Sequence, residues 1–335
     1  MKVGVIGITG YTGQELVRIL DRHPHFNLIE LGARVEKVTP LRNIVPAFRH
    51  TQYNVVPVKA PEDIPLAAEA YFLALPHSTA MEYANYLIQK GKIVIDLSAD
   101  FRFPDTGVYE HHYGHHPFKE LNKKAVYGLS EINRNQIKDA RLIANPGCYP
   151  TSILLGAYPL ARRGLITSLI ADSKSGLTGA GHNPKPANIY CAVNENFKAY
   201  NINRHRHQPE IETMINQFSP EPVEHLVFAP HLVPMNRGIF STLYITLKQE
   251  VTREILREMY LEEYEKEPFI RLIPDSEDVE TQAVAYSNFC DLKVISTGWT
   301  VIVLSAIDNL GKGAASQAVH NLNIICGIPE PTGLL

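Results

Sequence analysis

The sequence predicts an α/β protein with two domains, the first built on a parallel sheet and the second, of α+β type, on a mixed sheet. One observation is the opening segment, where a short apolar strand runs into a glycine-rich turn and then a helix. Another is the alternation of apolar strands and helices in the first half, which is typical of a parallel sheet. After residue 148 the predicted strands become longer, and a charged helix spans residues 253–266.

The composition restricts the class of protein. With 335 residues, 45% of them hydrophobic, the chain is long enough to bury two cores. The net charge of −3, with mixed signs, argues against a nucleic-acid partner. We expect no membrane span, because no apolar run is long enough, and no signal peptide, because residues 1–10 are already predicted to be a strand and a loop. The four cysteines are scattered without a disulfide or zinc pattern, so we expect a reducing cytoplasm.

The strand near residue 2 opens into glycines spaced Gly-x-x-Gly-x-x-Gly, at Gly7, Gly10 and Gly13. Glycine lets the backbone approach a pyrophosphate, which then rests on the N-terminus of the next helix. That helix is predicted to bury one face, formed by Leu16, Ile19 and Leu20. The context favours a Rossmann dinucleotide-binding domain over a plain strand–turn–helix without a ligand.

The end of the second strand, predicted at residues 26–33, indicates which nicotinamide cofactor binds. In NAD-binding domains an acidic residue near this point holds the ribose 2′-hydroxyl. Here Arg34 follows the strand, whereas Glu30 lies early and Glu36 lies late. A cation suits a 2′-phosphate, so NADP(H) is predicted. The alternative is that Arg34 is an ordinary surface arginine.

Further elements follow in order. An apolar strand at residues 71–75 precedes a helix that Ser78 or Thr79 would cap and that ends at Gly91. A strand at residues 93–95 then leads into the segment 96–102. The second half contains four longer strands, at residues 169–173, 226–229, 240–247 and 300–306.

The last predicted helix, at about residues 313–326, follows these strands and is expected to return to the first domain. The predicted boundaries are therefore 1–147 with 312–335 for a discontinuous NADP-binding domain. Residues 148–311 form the predicted catalytic and oligomerisation domain.

Cys148 is the strongest candidate for a reactive group. It follows a Pro-Gly turn after the short strand at residues 141–144, and a helical pattern begins beside it. A thiol at a helix N-terminus lies in the positive end of the helix dipole, which favours the nucleophilic thiolate. The alternative is a small buried cysteine without reactivity.

These motifs resemble those of the N-acetyl-γ-glutamyl-phosphate reductase family of arginine biosynthesis. The resemblance spans nearly the whole chain in the right order. It rests on the glycine loop and on the segments 96–102, 145–151 (Asn-Pro-Gly-Cys-Tyr-Pro-Thr), 175–181, 205–211 (His-Arg-His-Gln-Pro-Glu-Ile), 230–238 and 308–315. It implies a glyceraldehyde-phosphate-dehydrogenase-like catalytic domain, NADPH, and a homotetramer or homodimer. It also implies that Cys148 attacks a small acyl phosphate to form a thioester, which hydride then reduces to an aldehyde.

The resemblance further assigns residues to the site. Those implied for the cofactor are Gly7, Thr9, Gly10, Tyr11, Thr12, Gly13, Arg34, Pro76, Ser175, Gly176 and Gln317. Those implied for the substrate are Arg102, Asn145, His207 and Glu210, with Arg206 and Arg237 as weaker candidates. Taken from the residues alone, Glu210 is a first-turn acid of a helix that starts near Pro209.

The reaction needs an acid/base with a pKa near 7, and histidine is the natural choice. The family pattern points to His205, with His207 as the fallback. If the segment is extended, residues i and i+2 share a face, so the spacing alone does not separate them.

Three alternatives stay open. A paralogous reductase acting on an aminoadipyl or aspartyl phosphate would use the same chemistry. A nucleotide-binding regulator without turnover would not need the Cys148–His205 pair, and a cysteine hydrolase or acyltransferase would not need the glycine loop. The histidines at 111, 112, 115 and 116 suggest a metal site, but we interpret them as a solvated loop and predict no metal.

Overall fold

The computed structural model describes residues 1–182, 186 and 189–335, which divide into two compact units. The first unit comprises Met1–Pro146 and Ala314–Leu335, and the second comprises Gly147–Gly313. Among the described residues, no helix is both long enough and apolar enough to cross a bilayer.

An eight-stranded sheet forms the centre of the first unit. Its strands are β1 (Lys2–Ile6), β2 (Asn27–Ala33), β3 (Thr39–Pro40), β4 (Asn54–Pro57), β5 (Ala70–Leu73), β6 (Ile93–Asp96), β7 (Val126–Tyr127) and β8 (Leu142–Ala144). They lie in the order β3-β4-β2-β1-β5-β6-β8-β7, and every pair is parallel except β3 with β4. Because β2 and β5 flank β1, the strand order reverses there, and ligands of such sheets bind at the carboxyl edge of this point.

Helices connect these strands as the alternating pattern predicts. They are α1 (Tyr11–Leu20), α2 (Leu41–Ile44), α3 (Ala80–Gln89), α4 (Thr106–Tyr113), α5 (Lys119–Asn122) and α6 (Ser130–Ile137). The predicted inner face of α1 is confirmed, since Leu16, Ile19 and Leu20 are all buried. Burial of this apolar stripe against the sheet stabilises both elements.

The second unit is built on a seven-stranded mixed sheet. Its helices are α7 (Cys148–Ala161), α8 (Tyr190–Val193), α9 (His207–Phe218), α10 (Arg253–Tyr264) and α11 (Thr281–Val284). Its strands are β9 (Ile166–Ser175), β10 (Lys198–Ala199), β11 (His225–Leu232), β12 (Ile239–Leu247), β13 (Ile270–Leu272), β14 (Cys290–Ser296) and β15 (Thr300–Ile307), in the order β10-β11-β9-β12-β15-β14-β13. A π-helical turn, Gly311–Ala315, then leads to α12 (Ser316–Ile325).

Helix α7 contains a proline in its interior and is nevertheless continuous. Pro159 has no N–H, so the carbonyl of Leu155, four residues earlier, cannot receive its usual helical hydrogen bond. The hydroxyl of Tyr264 on α10 donates to this carbonyl at 2.6 Å, and that of Tyr260 donates to the carbonyl of Gly156 at 2.5 Å. A neighbouring helix therefore satisfies the group that the proline leaves open.

The predicted cap of α3 is wrong. Thr79 occupies the N-cap position without a side-chain cap hydrogen bond. The buried carboxylate of Asp100 accepts hydrogen bonds from the backbone N–H groups of Ser78, at 2.8 Å, and Met81, at 3.0 Å. An acid that is distant in sequence supplies the cap, so the local pattern does not reveal it.

The interpretation of the four histidines as one solvated loop is also only partly right. His111 and His112 lie in α4, and His115 is exposed. His116 is fully buried, with its Nε2 2.8 Å from the backbone oxygen of Asp100. Among the described residues, no group of three or more acids, histidines or cysteines is arranged to hold a metal ion.

Candidate active site

The glycine loop lies at the carboxyl end of β1, where two of its glycines are required by packing. Gly7 has a φ of +98°, and a Cβ built on it would lie 2.3 Å from the backbone oxygen of Ala74. A Cβ on Gly13 would lie 2.3 Å from the backbone oxygen of Gly7. Both glycines allow α1 and the end of β5 to approach the loop closely.

Gly10 has a different role, since a Cβ there would meet nothing nearer than 3.8 Å. It is the N-cap of α1, where it contributes no side chain over the first turn. Thr9, Tyr11 and Thr12 adjoin it, and none of them is buried. A helix N-terminus that no side chain caps fits the phosphates of a dinucleotide, because its N–H groups and dipole favour an anion.

Arg34 lies immediately after β2 and is exposed at the same carboxyl edge. The two nearby acids, Glu30 and Glu36, are both engaged by other residues. The carboxylate of Glu30 is turned into the protein, where it accepts hydrogen bonds of 2.6 Å from the hydroxyl of Tyr71 and the N–H of Ala68. Glu36 is held at the surface by Lys59 at 2.9 Å. Arg34 is therefore an exposed cation at the end of this strand.

Pro76, Arg102 and Asn145 follow the carboxyl ends of β5, β6 and β8, at this same edge of the sheet. Pro76 is exposed, whereas the other two are buried. The guanidinium of Arg102 donates to the backbone oxygens of Asn145, at 2.7 Å, and Leu97, at 2.8 Å. In this structure Arg102 ties two of the loops together, and its contact with a substrate anion stays a prediction.

Gln317 is fully buried on α12. Its side-chain amide donates to the backbone oxygen of Gly128 at 2.9 Å and to the hydroxyl of Ser130 at 2.8 Å. These bonds attach α12 to the start of α6. The predicted contact of Gln317 with the cofactor stays a prediction, and in this structure the side chain has no exposed surface.

Cys148 is the first residue of α7 and is partly exposed. The N–H of the residue before it, Gly147, donates to Glu210 Oε1 at 2.8 Å. Glu210 is fully buried on α9, so its carboxylate anchors the start of α7. On the other side of the cysteine, a Cβ built on Gly313 would lie 2.8 Å from Cys148 Cβ. The thiol therefore sits between a fixed backbone and a glycine.

His205 lies in a cluster of aromatic rings of the second unit. Its ring centre is 5.6 Å from that of Tyr149, the residue after Cys148, and 4.9 Å from that of His207. Its Nε2 lies 3.4 Å from the hydroxyl of Tyr200. Burial, together with the positive charge of Arg206, lowers the pKa of His205 to about 4. This pKa is lower than the value near 7 that we expected, because the ring is desolvated. The imidazole is therefore neutral at pH 7.

The segment that holds the two histidines is not extended as expected. His205 precedes the helix, Arg206 has helical φ and ψ, and His207 is the first residue of α9. The ring of His207 is 6.0 Å from that of Tyr149, so both imidazoles face the same tyrosine. The choice between them stays a prediction.

The loop after β9 is held by backbone contacts with the segment before β12. The N–H of Gly176 donates to the oxygen of Gly238 at 2.9 Å, and a Cβ on Gly176 would lie 2.8 Å from the oxygen of Asn236. Asn309 joins both segments, accepting from Gly238 N at 2.8 Å and donating to Thr178 Oγ1 at 2.9 Å. Ser175 is buried at the end of β9.

Arg237, a weaker substrate candidate, is used within the protein. Its Nε lies 2.9 Å from Oδ2 of the fully buried Asp308, and its guanidinium lies 4.3 Å from the centre of the Tyr286 ring. Removing the arginine would leave a buried carboxylate without this cation. The pair anchors the segment before β12.

Sequence reasoning missed Tyr200 and Gly313 as members of this site. Tyr200 directly follows the two-residue strand β10, with no motif around it. Gly313 belongs to a quoted segment, but only the packing shows that it faces Cys148.

Comparison with known proteins places both halves of the chain in one family. Residues 2–140 match the family model described as semialdehyde dehydrogenase, NAD binding domain. Residues 148–309 match the model described as semialdehyde dehydrogenase, dimerisation domain.

Two curated relatives match over their whole length, and both are named N-acetyl-γ-glutamyl-phosphate reductase. The one from Desulfotalea psychrophila is 45% identical, with 100% of this chain and 98% of the relative covered. The one from Geobacter metallireducens is 46% identical, with the same coverage.

Solved structures share the fold at low identity. Aspartate semialdehyde dehydrogenase II from Vibrio cholerae has a TM-score of 0.71 at 15% identity, covering 97% of this chain and 98% of that one. Aspartate semialdehyde dehydrogenase with NADP from Candida albicans has a TM-score of 0.70 at 16% identity, with the same coverage.

Proposed function

The chain belongs to the semialdehyde dehydrogenase family, and from this premise we propose that it reduces N-acetyl-γ-glutamyl phosphate to N-acetylglutamate semialdehyde and phosphate, using NADPH, in arginine biosynthesis. The observation that carries the proposal is the match of 45–46% identity, over the full length, to relatives that bear this name. The arrangement around Cys148 supports the same chemistry, since a thiol at a helix start adjoins a histidine cluster.

Residues 1–147 and 312–335 form the NADP-binding domain in this proposal, and residues 148–311 form the catalytic and oligomerisation domain. The glycine loop receives the phosphates on the N-terminus of α1, and Arg34 receives the 2′-phosphate. NADPH, when bound, supplies the hydride. We also propose contacts of the cofactor with Thr9, Pro76, Ser175, Gly176 and Gln317.

The catalytic steps belong to residues of the second unit. The Cys148 thiolate attacks the acyl carbon, the C–O bond to phosphate breaks, and phosphate leaves with the electron pair, which gives a thioester. Once that carbon is reduced, its bond to sulfur breaks, the electron pair returns to Cys148 as thiolate, and the aldehyde is released. His205 exchanges a hydrogen bond or proton with the oxygen on that carbon. Glu210 acts through α7, because it holds the N–H of Gly147 and so fixes where the thiol stands. Arg102, Asn145 and His207 are proposed to contact the substrate.

The assay that tests the function is the reverse reaction with N-acetylglutamate semialdehyde, phosphate and NADP⁺, followed by NADPH absorbance. We expect turnover with this substrate and much less with aspartate semialdehyde. Cys148→Ser should abolish turnover and leave NADP(H) binding intact. Preference for aspartate semialdehyde would favour a paralogous reductase, and substantial activity of the serine variant would contradict the thioester.

We further propose that two copies of the chain associate through the open face of the seven-stranded sheet. Cross-strand pairing places five apolar residues in one row over five strands: Val227, Ile170, Tyr244, Ile302 and Ile295. Four of them are between 36% and 45% exposed. A second copy is the favoured partner because the matching family model is described as a dimerisation domain.

Light scattering after gel filtration tests this interface. Ile170→Lys places a charge in the row and should produce monomers. Ile255→Lys, at a residue 48% exposed on α10, is the matched control and should leave the assembly unchanged. A wild-type monomer would contradict the proposal. We place the enzyme in the cytoplasm, since a catalytic thiol needs a reducing compartment.

A further inference from the structure

Four hydrogen bonds around His205 form a chain with a single possible direction. The backbone N–H of His207 donates to His205 Nδ1 at 3.1 Å. His205 Nε2 lies 3.4 Å from the Tyr200 hydroxyl, which lies 3.3 Å from the Tyr149 hydroxyl. Tyr149 donates to the backbone oxygen of His231 at 3.1 Å.

The first bond determines the tautomer of the imidazole. A backbone N–H can only donate, so Nδ1 must present its lone pair, and the proton of the neutral ring is on Nε2. That proton points to the Tyr200 oxygen. Tyr200 then has its own proton for Tyr149, and Tyr149 has its proton for the carbonyl of His231. Each donor has one acceptor, and no other assignment satisfies all four bonds.

We propose that Tyr200 is a positioning residue: it accepts from Nε2–H of the neutral His205 and so orients this donor for the oxygen of the substrate's acyl carbon. The proposal rests on the function proposed above and specifies what His205 does in it. The Tyr200 contact is long for a hydrogen bond, so a substrate oxygen that carries developing charge replaces it readily. A neutral imidazole then stabilises that oxygen as a hydrogen-bond donor.

The surroundings of the ring support a neutral state. It packs edge to face with Tyr149, Tyr200 and Phe228, whose ring centres are 5.4–5.6 Å away. His207, the two tyrosines and the cation of Arg206 surround the ring, and Arg206 disfavours a second positive charge. The Cys148 thiol is a further titratable group here, since it interacts electrostatically with both tyrosines. Protonation at Nδ1 would also turn the His207 N–H bond into a clash of two donors. Burial raises the pKa of Tyr200 to about 12, so its hydroxyl keeps its proton.

Nitrogen-15 NMR of protein labelled at histidine tests the proposal without any turnover. The His205 resonances are those missing from His205→Asn. In the wild type at pH 7 we expect the pattern of a neutral ring protonated at Nε2, with a visible Hε2 resonance. In Tyr200→Phe the Hε2 proton loses its acceptor, so its resonance should shift upfield or disappear by exchange with water. An Nδ1–H tautomer in the wild type, or an unchanged Hε2 resonance in the variant, would overturn the proposal.

Kinetics supply the second readout. Tyr200→Phe should lower kcat roughly tenfold, with the KM for NADPH unchanged, because the donor is no longer held in one orientation. Tyr190→Phe, at a tyrosine 76% exposed on α8, is the matched control and should change neither kcat nor the His205 resonances. An altered Hε2 resonance with an unchanged kcat also contradicts the proposal. Absence of turnover in the wild-type enzyme would contradict the proposed function instead. The NMR result would still determine the tautomer of His205 in that case.

Discussion

At the scale of single residues, the candidate site depends on groups that constrain the chemical ones. The space beside Cys148 exists because Gly313 has no side chain, and the helix start is anchored because Glu210 accepts from Gly147. Arg34 is exposed, whereas the carboxylate of Glu30 on the same strand end is buried and accepts from the Tyr71 hydroxyl. The reactive residues are therefore only part of what a substitution can disturb.

Arg34→Ala tests the choice of cofactor. A charge-assisted contact with the 2′-phosphate contributes roughly 1.5–3 kcal/mol, so the variant should lose about 10- to 150-fold in affinity for NADPH. NADH should be affected little. The measurement is kcat/KM for both cofactors, with Arg49→Ala as a control at an exposed arginine. Equal kcat/KM for NADPH and NADH in the wild type, or an unchanged preference for NADPH in Arg34→Ala, would refute the assignment.

Substitutions of the two histidines test which one exchanges protons with the substrate. His205→Asn should lower kcat by roughly 10²- to 10⁴-fold and remove the acid limb of the pH–rate profile, which protonation of His205 with its pKa of about 4 produces. His207→Asn should act mainly on KM or stability, because His207 is proposed to contact the substrate and is also the first residue of α9. If the two variants exchange these effects, His207 has the role. If neither loses more than tenfold, the proton donor lies outside this segment.

At the scale of elements, α7 depends on α10. Pro159 would ordinarily end or kink a helix, at a cost of ~3 kcal/mol or more, yet α7 runs from Cys148 to Ala161. The Tyr264 hydroxyl replaces the missing donor, so the helix that begins with the reactive thiol is completed by another helix.

Tyr264→Phe should lower the free energy of unfolding by about 1–3 kcal/mol, because the Leu155 carbonyl would be buried without a donor. In the Pro159→Ala background, the alanine N–H can donate to the Leu155 carbonyl, so Tyr264→Phe should lower the free energy of unfolding by less. Tyr260→Phe is the control, because the carbonyl of Gly156 can still receive the helical hydrogen bond from the N–H of Leu160. The destabilisation by Tyr260→Phe should therefore be the same with proline or alanine at residue 159. Urea denaturation of the four combinations measures the coupling; additive effects would contradict this account.

At the scale of the whole molecule, the two ends of the chain lie in the same unit. Glu330, near the C-terminus, bonds to His320 Nε2 at 2.6 Å and to Arg134 Nε at 2.7 Å. His23, near the N-terminus, lies 3.0 Å from the backbone oxygen of Thr332 through its Nε2. These contacts hold the terminal segment on the unit where the chain starts.

Protonation of Glu330 at acid pH should lower the free energy of unfolding of the first unit. Burial alone would raise its pKa, but hydrogen bonds from His320 and Arg134 dominate and lower it to about 2. A carboxylate with a depressed pKa stabilises the fold above its unfolded pKa near 4.5, and this contribution disappears as the pH falls from 4.5 to 2. Glu330→Gln should lower the free energy of unfolding by roughly 1–3 kcal/mol at pH 7 and flatten its fall below pH 4.5. Glu280→Gln, at an exposed glutamate, is the control. An identical acid profile for wild type and Glu330→Gln would contradict this prediction.

The sequence by itself determined what depends on neighbours along the chain. Glycine spacing and apolar periodicity predicted the strand–turn–helix at the start and the α/β class, because strand and helix periods are local properties. The local pattern around residue 148 also indicated Cys148, and the resemblance of the longer motifs to a known family indicated that family and both histidines. The tertiary structure decided what depends on groups distant in sequence. Asp100 caps α3, Tyr264 completes α7, Gly313 makes room for the thiol and Tyr200 meets His205, because hydrogen bonds and steric contacts form between residues that only folding brings together.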